Sequence, residues 1–398
     1  IFVKPVTLFL RKQYKRRLRE VFSFIVRRFK FLGKNLIKIL CIFINIYLLI
    51  QKIICYFTAN FDKNINYVHM RRISTALFCF IISLYAFSQQ EVQYTQHMFT
   101  NMAINPAYAG INKQICLTTL YRQQWTGFEH VHGTTGNMEA ASPRDLLITI
   151  DAPIRALHGG LGGSIYTDKL GFENNIGVKL AYAYHLNVGP GVLGIGAQLG
   201  FLNKTIDFSG FSPIDVSDPL LTGGSKSTMI FDAAFGVFYN LPGKAYAGLS
   251  SSQLIQGKMN IPNLDSKLKR HYYLVGAYHW VIPNAPDWEL SPYLMIKSDF
   301  ASTQYDITAM CKWRNMVWGG VSYRHQDAVA ILVGAYPFNS PSMNPMLANL
   351  RIGYSYDITT SALGASGRSS GTHEIMLGYC FKIEIPTHVT RYINTRFL

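Results

Sequence analysis

Two alternating faces recur along this chain. In 176–186 one face carries Ile176, Val178, Leu180, Tyr182, Tyr184 and Leu186; the other carries Gly177, Lys179, Ala181, Ala183 and His185. The pattern returns in 193–201, where Leu193, Ile195, Ala197, Leu199 and Phe201 oppose Gly194, Gly196, Gln198 and Gly200. It returns again in 350–357 and 375–381. Period two means strands with chemically different faces. We count about fourteen candidate strands, near 115–125, 133–141, 159–168, 174–187, 191–204, 228–240, 244–252, 269–282, 288–299, 303–313, 316–325, 328–336, 347–357 and 371–383. Turn-rich segments such as 187–190 and 241–243 separate them, and 207–227 reads as a large loop.

The second face decides the solvent. A soluble sandwich carries many charges on its outer face. Here that face is mostly Gly, Ala, Ser, Thr and Gln, and only 15% of the chain is charged, against about 25% in soluble domains. Tyr121, Trp125, Tyr166, Tyr239, Trp280, Trp288, Trp313, Trp318 and Tyr336 fall near strand ends, as interfacial girdles require. An open sheet in lipid would leave its edge amides without partners, so it must close. The expected fold is all-β, a transmembrane antiparallel β-barrel of about 14 strands, with apolar side chains outward. A soluble all-β protein with aromatic-rich edges is the alternative.

The net charge of +16 does not point to nucleic acid. Residues 1–69 account for +12 of it and Arg71 and Arg72 for +2, so 89–398 is nearly neutral. The basic stretch 1–69 reads either as translation upstream of the true start or as a real extension with a short apolar run at Leu40–Ile50. Residues 70–88 have signal-peptide form: Arg71-Arg72, an apolar run 76–84, and Ala86-Phe87-Ser88 before Gln89. The expected parts are then the N-terminal extension 1–69, a signal peptide 70–88, a periplasmic segment 89–114, a barrel 115–383 and a tail 384–398. Cys116, Cys311 and Cys380 are odd in number and far apart, and we expect small strand residues rather than a disulfide framework.

Patterns for chemistry are sparse. Gly367-Arg368-Ser369-Ser370-Gly371 matches a nucleophile elbow in letters only, because a loop precedes it and a strand follows. His130 and His132 stand two apart without matching carboxylates. We therefore expect no catalytic, metal or cofactor residues. Lys179, Asp232, Arg351 and Glu374 fall on the small-residue face and are the candidate lumen-lining charges, where water or an opposite charge can meet them.

Several ordered blocks carry a family resemblance. Gln93-Tyr94-Thr95-Gln96-His97-Met98-Phe99, Ala103-Ile104-Asn105-Pro106-Ala107-Tyr108-Ala109-Gly110 and Leu120-Tyr121-Arg122-Gln123-Gln124-Trp125 resemble the start of the PorP/SprF family of the type IX secretion system of Bacteroidetes. Trp318-Gly319-Gly320-Val321-Ser322-Tyr323-Arg324, Arg351-Ile352-Gly353-Tyr354-Ser355-Tyr356-Asp357 and the tail 391–398 continue the likeness. The resemblance implies an outer-membrane barrel, non-enzymatic, in protein export or gliding. It implies partners in the periplasmic ring and among peptidoglycan-linked proteins, and for some members a large secreted adhesin. Asn105, Pro106, Tyr108, Gly110, Tyr121, Arg122 and Trp125 are its marker residues and candidate partner contacts. The segment 89–110 precedes the first strand; it is expected to start on the periplasmic side and either plug the barrel or dock onto a periplasmic partner. A passive porin or small-solute transporter is the alternative, and a hydrolase centred on Ser369 a distant third.

Overall fold

A computed structural model describes residues 91–131, 138–140, 142–208, 224–259, 267–339, 343–344, 347–361 and 369–382, all within the unit Ala86–Leu398. Residues 1–69, the expected signal peptide 70–88, His132 and the tail lie outside the described residues, as do Gly367 and Arg368. No helix among the described residues is long and apolar enough to cross a membrane.

The strands are β1 (Gln114–Gln123), β2 (Glu129–Val131), β3 (Met138–Ala140), β4 (Arg144–Ile154), β5 (Gly159–Leu170), β6 (Glu173–Val188), β7 (Gly191–Asp207), β8 (Ser225–Leu241) and β9 (Ala245–Ser252). They continue with β10 (His271–Tyr278), β11 (Trp280–Ile282), β12 (Ala285–Ser298), β13 (Thr303–Trp313), β14 (Val317–Arg324), β15 (Ala328–Ala335), β16 (Arg351–Thr359) and β17 (Thr372–Lys382). Apart from the β2–β3 hairpin, each pairs antiparallel with its neighbours in one sheet. β1 pairs with both β4 and β17, and β10 pairs with both β9 and β12, with β11 continuing the β10 edge. The result is a closed antiparallel barrel of 14 strands.

Alternation produces the wall. Ile165, Ile176, Val178, Leu180, Leu199, Phe201, Ile307, Val321, Ile331 and Ile375 are exposed on the outer face. Their inward neighbours are buried: Ser164, Gly177, Gly196, Gln198, Thr308, Ser322, Ala330 and Glu374. A continuous apolar exterior of this extent has hydrocarbon as its natural solvent. At one end most strand connections are short, as at 189–190, 242–244 and 314–316, with 336–350 the long one; the other end carries the long connections 208–224, 253–270 and 360–371 beside short turns at 171–172, 299–302 and 325–327. Trp280, Trp288 and Trp313 ring the short-turn end, the last two with centroids 6.4 Å apart, and Tyr121 and Tyr323 stand exposed toward the loop-rich end.

Four expectations change. The strand expected at 133–141 supplies only β3, outside the barrel, while the barrel strand β4 was not anticipated. In β4 the alternation is masked by the run Leu146-Leu147-Ile148, because inward Leu147 is covered by Tyr94 and Leu120. Trp318 is not in a girdle; it is 4% exposed, faces inward and packs between Phe99 and Tyr336. Tyr166 and Tyr336 also turn inward, Tyr166 against the Tyr94 cluster and Tyr336 against Trp318. Finally, Cys116 and Cys380 form a disulfide, leaving Cys311 as the free thiol among the described residues. They stand 264 positions apart but directly opposite across the β1–β17 ladder. Sequence distance hid a pairing that barrel closure makes, and an oxidising compartment permits it.

Candidate functional site

The barrel is not empty. Residues 91–113 run inside it, from the level of Ser252 and Lys297 near the loop-rich rim to Lys113 just before β1. The path is short turns: a 3₁₀ turn at His97–Phe99, α1 (Asn101–Ile104) and a second 3₁₀ turn at Pro106–Tyr108. Asn105 caps the last turn, its Oδ1 accepting from Ala107 N at 3.0 Å, and Pro106 fills the first position, where no amide donor is needed.

One side of this segment meets the wall backbone to backbone. A Cβ on Gly196 would sit 2.4 Å from Ala107 N, and one on Gly160 would sit 2.3 Å from Ala109 O. These inward glycines of β5 and β7 form a trough, and only a bare Cα lets the segment lie this close. Polar ties complete the seat. Asn105 Nδ2 donates to Val237 O and Leu249 O at 3.0 and 3.1 Å, Ser250 Oγ donates to Ile104 O at 2.8 Å, and Gly110 N donates to Asp151 Oδ2 at 3.0 Å. A Gly196→Val variant is expected to unseat the segment, since no flexible atom lies in the way to yield. A Cys placed at Ala107, fully buried in the native chain, should be inert to an impermeant maleimide and become labelled in that variant.

The opposite side is charged. Arg122 on β1 donates through Nη1 to Glu374 Oε2 on β17 at 2.9 Å and through Nη2 to Asp357 Oδ2 on β16 at 2.9 Å. Arg324 on β14 reaches Asp306, Asp327 and Asp357 at 3.2–3.3 Å. Thr95 and Gln96 of the interior segment plug into this cluster. Their backbone amides donate to the two Glu374 oxygens at 2.8 and 2.7 Å, and Thr95 Oγ1 donates to Asp357 Oδ2 at 2.7 Å. With Asp306 on β13, all five cluster strands contribute inward positions, and Arg122, Arg324, Asp357 and Glu374 are each at most 4% exposed. Charges this deep persist only when paired and hydrogen-bonded.

Glu91 anchors the upper end. It accepts from Tyr273 Oη and from Ser252 Oγ, and Lys297 Nζ donates to its carbonyl at 2.9 Å. Lys179 stands 3.9 Å away and adds an opposite charge to the same carboxylate.

The marker residues thus separate. Asn105, Pro106, Tyr108 and Gly110 lie in the interior segment, Arg122 lies in the charged cluster, Tyr121 faces outward at 41% exposure, and Trp125 lies in the turn beyond β1. Of the four inward charges, Glu374 binds the segment and Lys179 stands 3.9 Å from Glu91. Asp232 accepts from Gln253 N at 3.0 Å, and Arg351 donates to Thr118 Oγ1 at 3.0 Å. Thr95, Gln96, Arg324 and Asp357 stand in the blocks that carry the family resemblance but were not named as site residues, and Asp306 was not noticed. The legible signal was charge at inward strand positions, all close to the same rim once neighbouring strands are aligned. Ser369 Oγ is paired with Thr359 Oγ1 and accepts from Gly371 N. No cluster of three or more metal-ligating side chains occurs among the described residues.

A family model described as type IX secretion system membrane protein PorP/SprF matches residues 86–379. The chain belongs to the PorP/SprF family. None of the curated proteins matches it. Solved structures similar to this PorP/SprF chain include the Pseudomonas putida toluene transporter TodX, at 8% identity over 71% of this chain and 93% of that one, TM-score 0.40. The Ralstonia pickettii toluene transporter TbuX matches at 9% identity over 70% and 92%, TM-score 0.39. The Acinetobacter baumannii outer membrane protein Omp33 matches at 9% over 68% and 99%, TM-score 0.35. A closed barrel with an apolar belt, in a secretion-system membrane family, is an outer-membrane protein.

Proposed function

We propose that this PorP/SprF barrel is a plugged, non-enzymatic component of the type IX secretion and gliding machinery that supports export or surface anchoring of a secreted protein. The observation that carries the reading is the occupied lumen. A porin needs a continuous aqueous path, and here a built-in segment fills the middle of the barrel with backbone contacts on one side and paired charges on the other. What the barrel then offers other molecules is its two ends. Short turns facing the periplasm and long loops facing outward are the usual arrangement of such barrels, so the short-turn end is taken as periplasmic. The periplasmic ring and peptidoglycan-linked proteins would dock there, and a large adhesin is the kind of client the family implies. Residues 70–88 serve as a cleaved export signal in this reading; Asn105, Pro106, Tyr108, Gly110 and Arg122 act by holding the interior segment in the form partners meet, while Tyr121 and Trp125 stay candidate partner contacts.

Replacing Asn105 by Ala together with Tyr108 by Ser removes two wall hydrogen bonds and an edge-on contact with Phe238 at 5.3 Å. The variant is expected to insert in the outer membrane yet lose surface delivery of its client, read by whole-cell immunolabelling. Normal delivery from an inserted variant would overturn the proposal.

A further inference from the structure

Below the interior segment, at the short-turn end, lies a cavity of about 500 Å³. Its walls are two aromatic clusters, in which only Phe238 and Tyr246 lie stacked and the other rings meet tilted or edge-on. Tyr108, Phe238 and Tyr246 make one, with centroid spacings of 5.3 and 5.2 Å. Phe99, Trp318 and Tyr336 make the other, with spacings of 5.4 and 5.2 Å. Tyr293 lines the same space. This size suits one or two side chains rather than a folded domain.

The polar groups of the cavity are unevenly satisfied. Lys312 is paired with Glu289 at 3.1 Å, and the same Glu289 oxygen meets His279 Nδ1 at 3.1 Å. Arg351 differs. Its guanidinium stands 5.1 Å from the Phe99 ring centroid and gives one hydrogen bond to Thr118, but Nε is buried without a partner. No carboxylate lies within ion-pair distance of Arg351 or of Lys113 at the cavity lip, among the described residues. The buried indole Nε1 of Trp318 also has no acceptor. The buried Asp151 carboxylate faces Arg351 from beyond ion-pair distance. Three cations (Lys113, Lys312 and Arg351) thus meet two carboxylates (Glu289 and Asp151), donors are in excess, and an aromatic slot adjoins them.

We propose that this cavity is an acceptor site for a peptide segment that presents an aromatic side chain beside a carboxylate, supplied by a partner at the periplasmic end. The side chain enters between the two aromatic clusters and the carboxylate meets Arg351, with Lys113 at the lip adding attraction. The identity of the end as periplasmic rests on the function proposed above; the chemistry of the cavity does not.

The test uses the full purified barrel in detergent and N-acetyl-4-fluorophenylalanine as probe, read by fluorine line broadening, with the corresponding amide as control. The carboxylate is expected to bind saturably and at least about tenfold more tightly than the amide, the worth of one charge-assisted hydrogen bond. Partition into micelles would give the reverse order, because the amide is uncharged. Arg351→Gln should abolish the preference. Lys113→Glu, at an exposed lip position, should weaken the carboxylate about threefold without touching the wall. Equal binding of acid and amide, or no saturable binding of either, would overturn the site. Neither outcome bears on the secretion role, which client delivery reads separately.

Discussion

Deleting residues 91–109 is expected to convert a non-conducting barrel into an open channel. The intact protein in a planar bilayer should show no steady conductance, because the interior segment occupies the barrel between a cavity of about 260 Å³ toward the loop-rich end and one of about 500 Å³ toward the short-turn end. Without the segment, fourteen strands enclose a water-wide lumen, intermediate between small filled barrels and porins of about 16–18 strands. The glycine trough then meets water, at little cost. The charged cluster keeps its own ion pairs, since Arg122, Arg324, Asp357 and Glu374 all belong to the wall. Heat-modifiable mobility on gels shows that the shortened protein still folds. Steady conductance from the intact chain would instead make it a porin.

The second large effect falls on Arg122. An Arg122→Met variant leaves Glu374 without its guanidinium and Asp357 with Arg324 alone, and Thr95 loses a 2.7 Å donor. Removing one partner of a buried pair costs about 3–5 kcal/mol. Urea unfolding in detergent should register a loss of that size. Its sequence neighbour sets the contrast: Tyr121→Phe changes an outward position, and its effect should stay within about 0.5 kcal/mol. Adding Glu374→Gln to Arg122→Met should restore part of the loss, because it removes the orphaned charge. Similar stabilities for Arg122→Met and native protein would show that the cluster is solvated and not a latch.

Much of the wall was legible because lipid imposes one rule on every strand. Ile176, Leu199 and Ile375 alternate with Gly177, Gly200 and Glu374 so regularly that neither partner nor register is needed to read them. Illegibility begins where the interior segment touches the wall. Leu147 and Trp318 are inward and apolar because Tyr94 and Phe99 cover them, and that contact broke the alternation in β4 and placed Trp318 among girdle residues. The candidate site suffered the same way. Arg122 and Glu374 stood out as single residues, but their pairing depends on closure of the first strand on the last, a contact between positions 252 apart. The inward glycines looked like empty space in the sequence; they are a fitted bed for Ala107 and Ala109.

Closure by a covalent bond has a mechanical consequence. The interior segment leads straight into β1, and β1 is bolted to β17 through Cys116 and Cys380. Tension applied to the N-terminal cord by a moving neighbour is therefore shared by both ends of the polypeptide, and the ladder most exposed to tearing is the one that a weld reinforces.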